Sequence, residues 1–456
     1  MFSKRSRRMS NASHRACRGG ILRAMKRMER AFLGVVLALC EAPSSAIAQT
    51  APAAPAAQTE SHVAPGLMAE DVLQRWITRS TEVASLRSQV RSARFDVVTA
   101  TIFPNPSLQV SFMGTPLGAP PDSYTNYGVQ WTQPLPVFGQ ISGRRVAAVA
   151  ALSLAEVNVA NTLWGMAADL TDLMVDRAFK QAMVEMNQHN LDELTHLEDI
   201  ITRRVSAGAN SQYDALRVQV AESTMRAALQ DSVIERDRAD ARLVAQIADV
   251  TVTELPITRD GLEGFRGPES LPELLDLAVR RRPDLELAHR GVLANEASEV
   301  RWRRENRFNP SVSLGLYAGA NPDGLSVQAG VSMPLPAFDR NQGNIGRAHN
   351  DAEGQRLLAQ AIEVRIRRQV VGAWNARVSA RIALAAFRQR GMAATDELLR
   401  RALVTFQAGS TAGFNIQDLF DAYRTMWDAR SQELELQRTF AESEADLERA
   451  VALVVP

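Results

Sequence analysis

Gln133-Pro134-Leu135-Pro136-Val137-Phe138-Gly139 decides how this chain is read, because it returns as Met333-Pro334-Leu335-Pro336-Ala337-Phe338-Asp339. Strand-like alternation precedes each copy. A proline-free run follows each, Val137 to Leu255 and Ala337 to Val455, 119 residues both times. Proline lacks the N–H a helix needs and clashes with the preceding turn, so proline-free length is room for helix. Two equal runs, each opened by Pro-Leu-Pro and set 200 residues apart, point to an internal duplication of a strand–strand–long-helix unit.

Upstream of the first copy, Leu108, Val110 and Phe112 alternate with Gln109 and Ser111, and Tyr127, Val129 and Trp131 with Gly128, Gln130 and Thr132. Upstream of the second, Val312, Leu314 and Leu316 alternate with Ser313 and Gly315, and Leu325, Val327, Ala329, Val331 and Met333 with Ser326, Gln328, Gly330 and Ser332. This period of two places strands at about 106–113, 125–133, 310–318 and 324–333, the first pair joined by a Gly/Pro-rich loop, Gly114 to Ser123. One reading is an antiparallel sheet with one face on a soluble core. The other is a transmembrane β-barrel, apolar toward lipid and polar toward water. Strands of about 9–11 residues suffice to cross a bilayer. Phe112, Tyr127, Trp131 and Tyr317 sit toward strand ends, as an interfacial belt requires. Four strands cannot close a barrel, and open edges are not tolerated in lipid, so the barrel reading needs several chains.

The runs after each corner are helical in period. Leu191, Leu194, Leu197, Ile201 and Val205 follow 3–4 spacing, while Leu358, Ile362, Ile366, Val370, Trp374, Val378 and Ile382 recur every four. A spacing of four drifts by about 40° per step on a straight helix, so the apolar surface winds and touches neighbours on more than one side. That suits a stave in a wall, and periodicity alone also allows a helix of a large soluble bundle. From Phe138 to Val205 a helix spans roughly 100 Å. Bends are expected at Gly165, Gly354, Gly372 and Gly391. Turns are expected at Ser206 to Asn210 and at Ala408 to Gly413.

At the N-terminus, ten Lys or Arg face the single acid Glu29 within residues 1–30, followed by the apolar run Ala31 to Cys40 and Ala46-Ile47-Ala48. That is the layout of a secretory signal peptide, residues 1–48. Residues 49–66 form a Pro/Ala-rich tail. Residues 49–456 keep 42 basic and 49 acidic residues, a net charge of −7, and neither Cys17 nor Cys40. Disulfides and thiolate metal sites are thereby excluded from that part. No segment beyond the leader reads as a transmembrane helix. The expected organisation is a first repeat over 67–250, a linker over 251–270 and a second repeat over 271–456.

In order and in duplication these features resemble the TolC-like outer-membrane efflux family, over nearly all of the chain past the leader. The resemblance rests on Asn-Pro-Ser at 105–107 and 309–311, the corners at 133–139 and 333–339, and the Gly turns at 208 and 409. Gly343 with Ala348 continues the second corner as the family does. The stretch Pro334-Leu335-Pro336-Ala337-Phe338-Asp339-Arg340-Asn341-Gln342-Gly343 is most like the heavy-metal branch, which serves cobalt–zinc–cadmium efflux. Val205 stands where the family often has an aromatic, whereas Phe406 keeps one. The resemblance implies a mainly α fold with transmembrane β structure, three chains pooling strands into a twelve-stranded barrel joined to a long α-helical barrel. It implies a homotrimer in the outer membrane, extending into the periplasm, that acts as the passive export duct of a tripartite efflux system. Its partners are then a periplasmic adaptor, an inner-membrane pump and outer-membrane lipid, with no nucleic acid. Cargo would be heavy-metal cations or small toxic compounds. A type I protein-secretion duct and a periplasmic long-helix scaffold are the alternatives.

Gly-x-Ser-x-Gly and a P-loop are both missing, so no enzyme, cofactor or resident metal is expected. His62, His189, His196, His289 and His349 are scattered, and the helically spaced Met166, Met174, Met183 and Met186 read as packing. The expected adaptor-docking turns are Ala207, Gly208 and Ala209, with Gly409, Ser410 and Thr411. Asp214, Asp418 and Asp421, just past those turns, are either solvated helix faces or a ring at the tunnel mouth.

Overall fold

The structure, a computed structural model, describes residues 68–113, 126–208, 210–248, 264–319, 324–407 and 416–453, with Ile257, Arg259 and Leu262. All belong to one unit, residues 64–456. The expected signal peptide, Pro/Ala tail and Gly114–Ser123 loop lie outside the described residues, as does the turn expected at 408–413.

In chain order the elements are α1 (Ala69–Arg79), α2 (Thr81–Thr101), β1 (Ser107–Met113), β2 (Asn126–Pro134), α3 (Gln140–Ser206) and α4 (Gln212–Ile247). The second half runs α5 (Leu271–Arg281), α6 (Pro283–Glu305), β3 (Ser311–Gly319), β4 (Leu325–Ser332), α7 (Gln342–Ala386), a π-helical segment Phe387–Met392, α8 (Ala393–Gln407) and α9 (Ile416–Val451). The chain is therefore mainly helical with one small sheet.

The duplicated corners fold alike. The Val137 N–H donates to the Leu135 carbonyl at 2.8 Å, and the Ala337 N–H to the Leu335 carbonyl at 2.8 Å. These i→i+2 turns redirect the chain out of the sheet. A glutamine one residue into each helix then holds the bend: the Gln140 Oε1 accepts from the Phe138 N–H at 3.0 Å, and the Gln342 Oε1 from the Arg340 N–H at 2.7 Å. Each helix is entered through a left-handed residue, Gly139 at φ 91° and Asn341 at φ 56°. Glycine takes that conformation freely, and asparagine is among the few residues that visit it routinely.

The sheet is antiparallel in the order β1-β2-β3-β4, so the two duplicated hairpins meet along β2–β3. Val129 stands between Val110 and Leu316, and Leu316 faces Val327. The helices keep the same order, α2 against α3, α3 against α6, and α6 against α7, with α4 on α3 and α9 on α7 and α3.

Apolar packing is also duplicated. Trp76, Val83, Leu170, Met174, Leu243 and Ile247 form one cluster of the first repeat, and Leu274, Ala278, Ile366, Val370 and Leu447 one of the second. A third cluster joins the repeats at the far end of the helices through Leu194, Leu197, Ile201, Phe406, Leu419 and Tyr423. Two buried arginines 200 residues apart repeat the pattern in polar form. Arg177 donates to Asp240 at 2.7 Å and to the Ile257 carbonyl at 2.8 Å. Arg377 donates to Glu444 at 3.1 Å and Glu269 at 3.0 Å, its guanidinium 4.7 Å over the Phe265 ring. Each ties the segment between the repeats to the long helices.

Three expectations need correction. The helix read over 67–103 is two, because Ser80 is extended (ψ 130°) and its N–H caps the Trp76 carbonyl at 2.9 Å. Serine favours such junctions over helix interiors. Gly165, Gly354 and Gly372 sit in unbroken α-helix, and only Gly391 coincides with a distortion, the π segment. A helical glycine costs about 1 kcal/mol, which packing along a helix of this length outweighs. Finally, α3 is long and apolar enough to cross a membrane by length and composition, with a mean hydropathy of 1.5 over its best stretch. Only 22% of that stretch is buried within the chain.

Candidate functional site

Two places on this frame carry functional geometry, the sheet and the far end of the helices. In the sheet, alternation sends Leu108, Val110, Phe112, Tyr127, Val129, Trp131, Leu314, Leu316, Leu325 and Val327 to one side. All of them are exposed, Val110 at 75% and Leu325 at 70%. A water-soluble antiparallel sheet buries its apolar face on a core. Here the apolar face is bare, and Ser326 and Gln328 on the opposite side are exposed as well. Ser111, Gly128, Gln130, Thr132, Ser313, Gly315, Ser326, Gln328 and Gly330 make up the other side. Among the described residues β1 and β4 are each paired along one edge only.

Phe112 and Tyr127 pack in a tilted arrangement at the loop end of the apolar face, centroids 5.1 Å apart and planes at 51°. Tyr317 does not join them. It pairs with Gly128 and Ser326, which puts it on the polar face, and its hydroxyl donates to the Gln130 Oε1 at 3.0 Å. Its place in the expected belt is thus corrected by parity: Tyr317 is an odd step from Leu314 and Leu316, and successive strand residues point to opposite faces.

The far end lies 67 residues along α3, about 100 Å from the sheet corner at 1.5 Å per residue. Ala207 and Gly208 form the turn there, Gly208 at φ 74° with open space around it. Ala209, Gly409, Ser410 and Thr411 lie outside the described residues. Asp214 closes a capping box with Ser211: the Asp214 N–H donates to the Ser211 hydroxyl at 3.2 Å, and the Ser211 N–H to the Asp214 Oδ2 at 3.0 Å. Burial works to raise its pKa, yet the Ser211 bonds, the Asn210 amide and nearby Arg217 together hold the carboxyl below its usual range. Asp418 and Asp421 stand exposed on the first turns of α9.

Arg204 was not singled out by the sequence. Its guanidinium lies 4.5 Å over the Phe406 ring, and it donates to Asn210 at 2.8 Å and to the Phe406 carbonyl at 3.3 Å. It links the end of α3 to the end of α8, so the tip of one repeat is fastened to that of the other. Nearby, hydrogen bonds from Arg400 and Arg401 bring Glu397 down to about 2. No group of three or more His, Asp or Glu side chains converges among the described residues in a way that could hold a metal. His189 pairs with Glu193 at 3.2 Å on an exposed face, Met174 is fully buried in the first cluster, and Met183 and Met186 pack around Phe179.

This fold, a four-stranded sheet feeding very long duplicated helices, is the fold of outer-membrane channel proteins. The transmembrane-channel protein CusC matches with a TM-score of 0.68 at 16% identity, over 87% of this chain and 99% of that one. The open state of the MtrE outer-membrane channel of Neisseria gonorrhoeae matches with a TM-score of 0.67 at 17% identity, over 84% and 88%. Along its sequence the chain is similar to the cobalt-zinc-cadmium resistance protein CzcC of Cupriavidus metallidurans, 24% identical over 406 residues, 88% of this chain and 94% of that protein. No family model matches. These relatives bear out the resemblance to TolC-like outer-membrane efflux proteins and, within them, to the heavy-metal branch. The chain is similar to channels and a resistance protein, not to enzymes.

Proposed function

We propose that three copies of this chain assemble in the outer membrane as the passive duct of a tripartite efflux system, carrying heavy-metal cations or small toxic compounds outward. The bare apolar sheet face is the observation that carries this reading: lipid is the partner it lacks. Every spanning strand in lipid needs its neighbour, so the unpaired edges of β1 and β4 call for further copies. The edge helices support the same closure. Phe95 and Val98 on α2, Ile102 at its C-terminal cap, and Leu357, Val364 and Ile382 on α7 are exposed apolar side chains. They would meet when β1 of one copy pairs with β4 of the next.

The turn at Gly208, together with its duplicate in sequence at Gly409, is the proposed docking point for a periplasmic adaptor, which connects an inner-membrane pump. Asp214, Asp418 and Asp421 are the proposed charges at the tunnel mouth. The similarity to CzcC, a cobalt-zinc-cadmium resistance protein, supports metal cargo over a secreted protein. The test is to purify the protein in detergent, measure its mass and reconstitute it in planar bilayers. A heat-labile trimer that conducts ions is expected. A monodisperse monomer that needs no detergent refutes the proposal.

A further inference from the structure

None of the four strands contains an Asp, Glu, Lys or Arg. Apart from Pro134 at the corner end, the described side chains of the polar face are Ser, Thr, Gln and Gly, into which one aromatic side chain among the described residues, Tyr317, is set. Its ring lies across two glycines. A Cβ placed on Gly128, its partner across the seam between the repeats, would stand 2.5 Å from the ring carbons Cδ1 and Cε1. A Cβ on Gly315, two residues back on the same face, would stand 2.6 Å from Cε2. Neither distance is compatible with close packing, so any larger residue at either position displaces the ring, and at Gly128 also the Ser111 hydroxyl, whose Oγ would stand 2.6 Å away. The hydroxyl is fixed at the far side by Gln130 at 3.0 Å. Glycine weakens a strand interior and marks a close approach of other groups. Two glycines beneath one ring therefore make a recess shaped for it.

We propose that Tyr317 sets the width of the barrel lumen, and that Gly128 and Gly315 form the recess that stows its ring against the wall. This rests on the duct reading, in which the polar face lines water and threefold assembly brings three Tyr317 rings into one pore. With no charged residue on the strands, this stage of the duct sorts solutes by size and not by charge.

The test uses the purified full-length protein in planar lipid bilayers. Single-channel conductance, the polyethylene glycol size that no longer enters, and the reversal potential in a KCl gradient are compared. The variants are Gly128→Val, Tyr317→Ala and the two combined. Gly128→Val pushes the ring inward, so conductance and the polymer limit fall. Tyr317→Ala raises both, and the double variant conducts better than Gly128→Val alone. The reversal potential is the same throughout. Wild-type conductance and polymer limit in both single variants overturn the proposal. Should Gly128→Val not assemble, Tyr317→Ala decides alone, and unchanged conductance overturns it. A wild-type protein that does not conduct at all overturns the duct reading itself, which is a separate result.

Discussion

Val129 and Gln130 are neighbours in β2 with opposite surroundings, and that contrast makes the sheet's orientation measurable. Val129 lies one residue from the middle of the nine-residue strand, 45% exposed, between Val110 and Leu316. On the lipid face of a barrel, arginine near the midplane costs about 2–4 kcal/mol. That range converts to a roughly 30-fold to 700-fold shift in the folding equilibrium at tenfold per 1.4 kcal/mol. Gln130 points the other way. Arginine there keeps its charge in water and removes the acceptor of the Tyr317 hydroxyl, a loss of about 1 kcal/mol. Both variants are refolded into vesicles and titrated with urea, and the midpoints compared at equal slope. Val129→Arg is expected to lose at least about twice the stability of Gln130→Arg, given those two figures. Equal losses, or a larger one at Gln130, refute the assignment of faces and with it the bare apolar sheet as a membrane surface.

Arg177→Ala leaves Asp240 and the Ile257 carbonyl without their donor, and is expected to cost about 3 kcal/mol, the low end for breaking a buried pair. Replacing Arg177 and Asp240 together by Met and Leu should recover most of that in a denaturant titration, and a single-variant loss under about 1 kcal/mol contradicts the clamp, being no more than an exposed pair gives. Because the Asp214 carboxyl sits below its usual range, its contribution is fully present above the unfolded value near about 3.9 and is lost as pH falls through the folded one. Amide exchange at the start of α4 should therefore stay slow from neutral pH down to about 4 and quicken below it, while Asp214→Asn removes that dependence. Gly208→Val places a branched side chain at φ 74°, a local strain of about 1–2 kcal/mol. The trimer and its conductance should survive, and metal resistance conferred by the whole system should be lost. Full resistance with normal assembly counts against docking at this turn.

What the sequence determined by itself is what depends on local period. Alternation of Leu108, Val110 and Phe112 with Gln109 and Ser111 reports one apolar and one polar strand face whatever lies beyond them. Repetition of Pro-Leu-Pro reports the duplication, since proline restricts the backbone wherever it stands. Even the twin arginines were legible in principle, as Arg177 and Arg377 keep the 200-residue offset of the corners. Tertiary structure decided what depends on partners remote in sequence. Tyr317 reads as one more aromatic near a strand end until the β2–β3 register sets it over Gly128, 189 positions away. Arg204 is an ordinary charge near a helix end until the two tips meet and Phe406 supplies the ring beneath it. Glycines that weaken an isolated helix leave α3 and α7 unbroken, because packing on neighbouring helices outweighs a local propensity of about 1 kcal/mol. Period is a property of the chain alone, whereas register and contact exist only once distant segments are brought together, and that is where the polar sheet face and the far end of the helices acquired their chemistry.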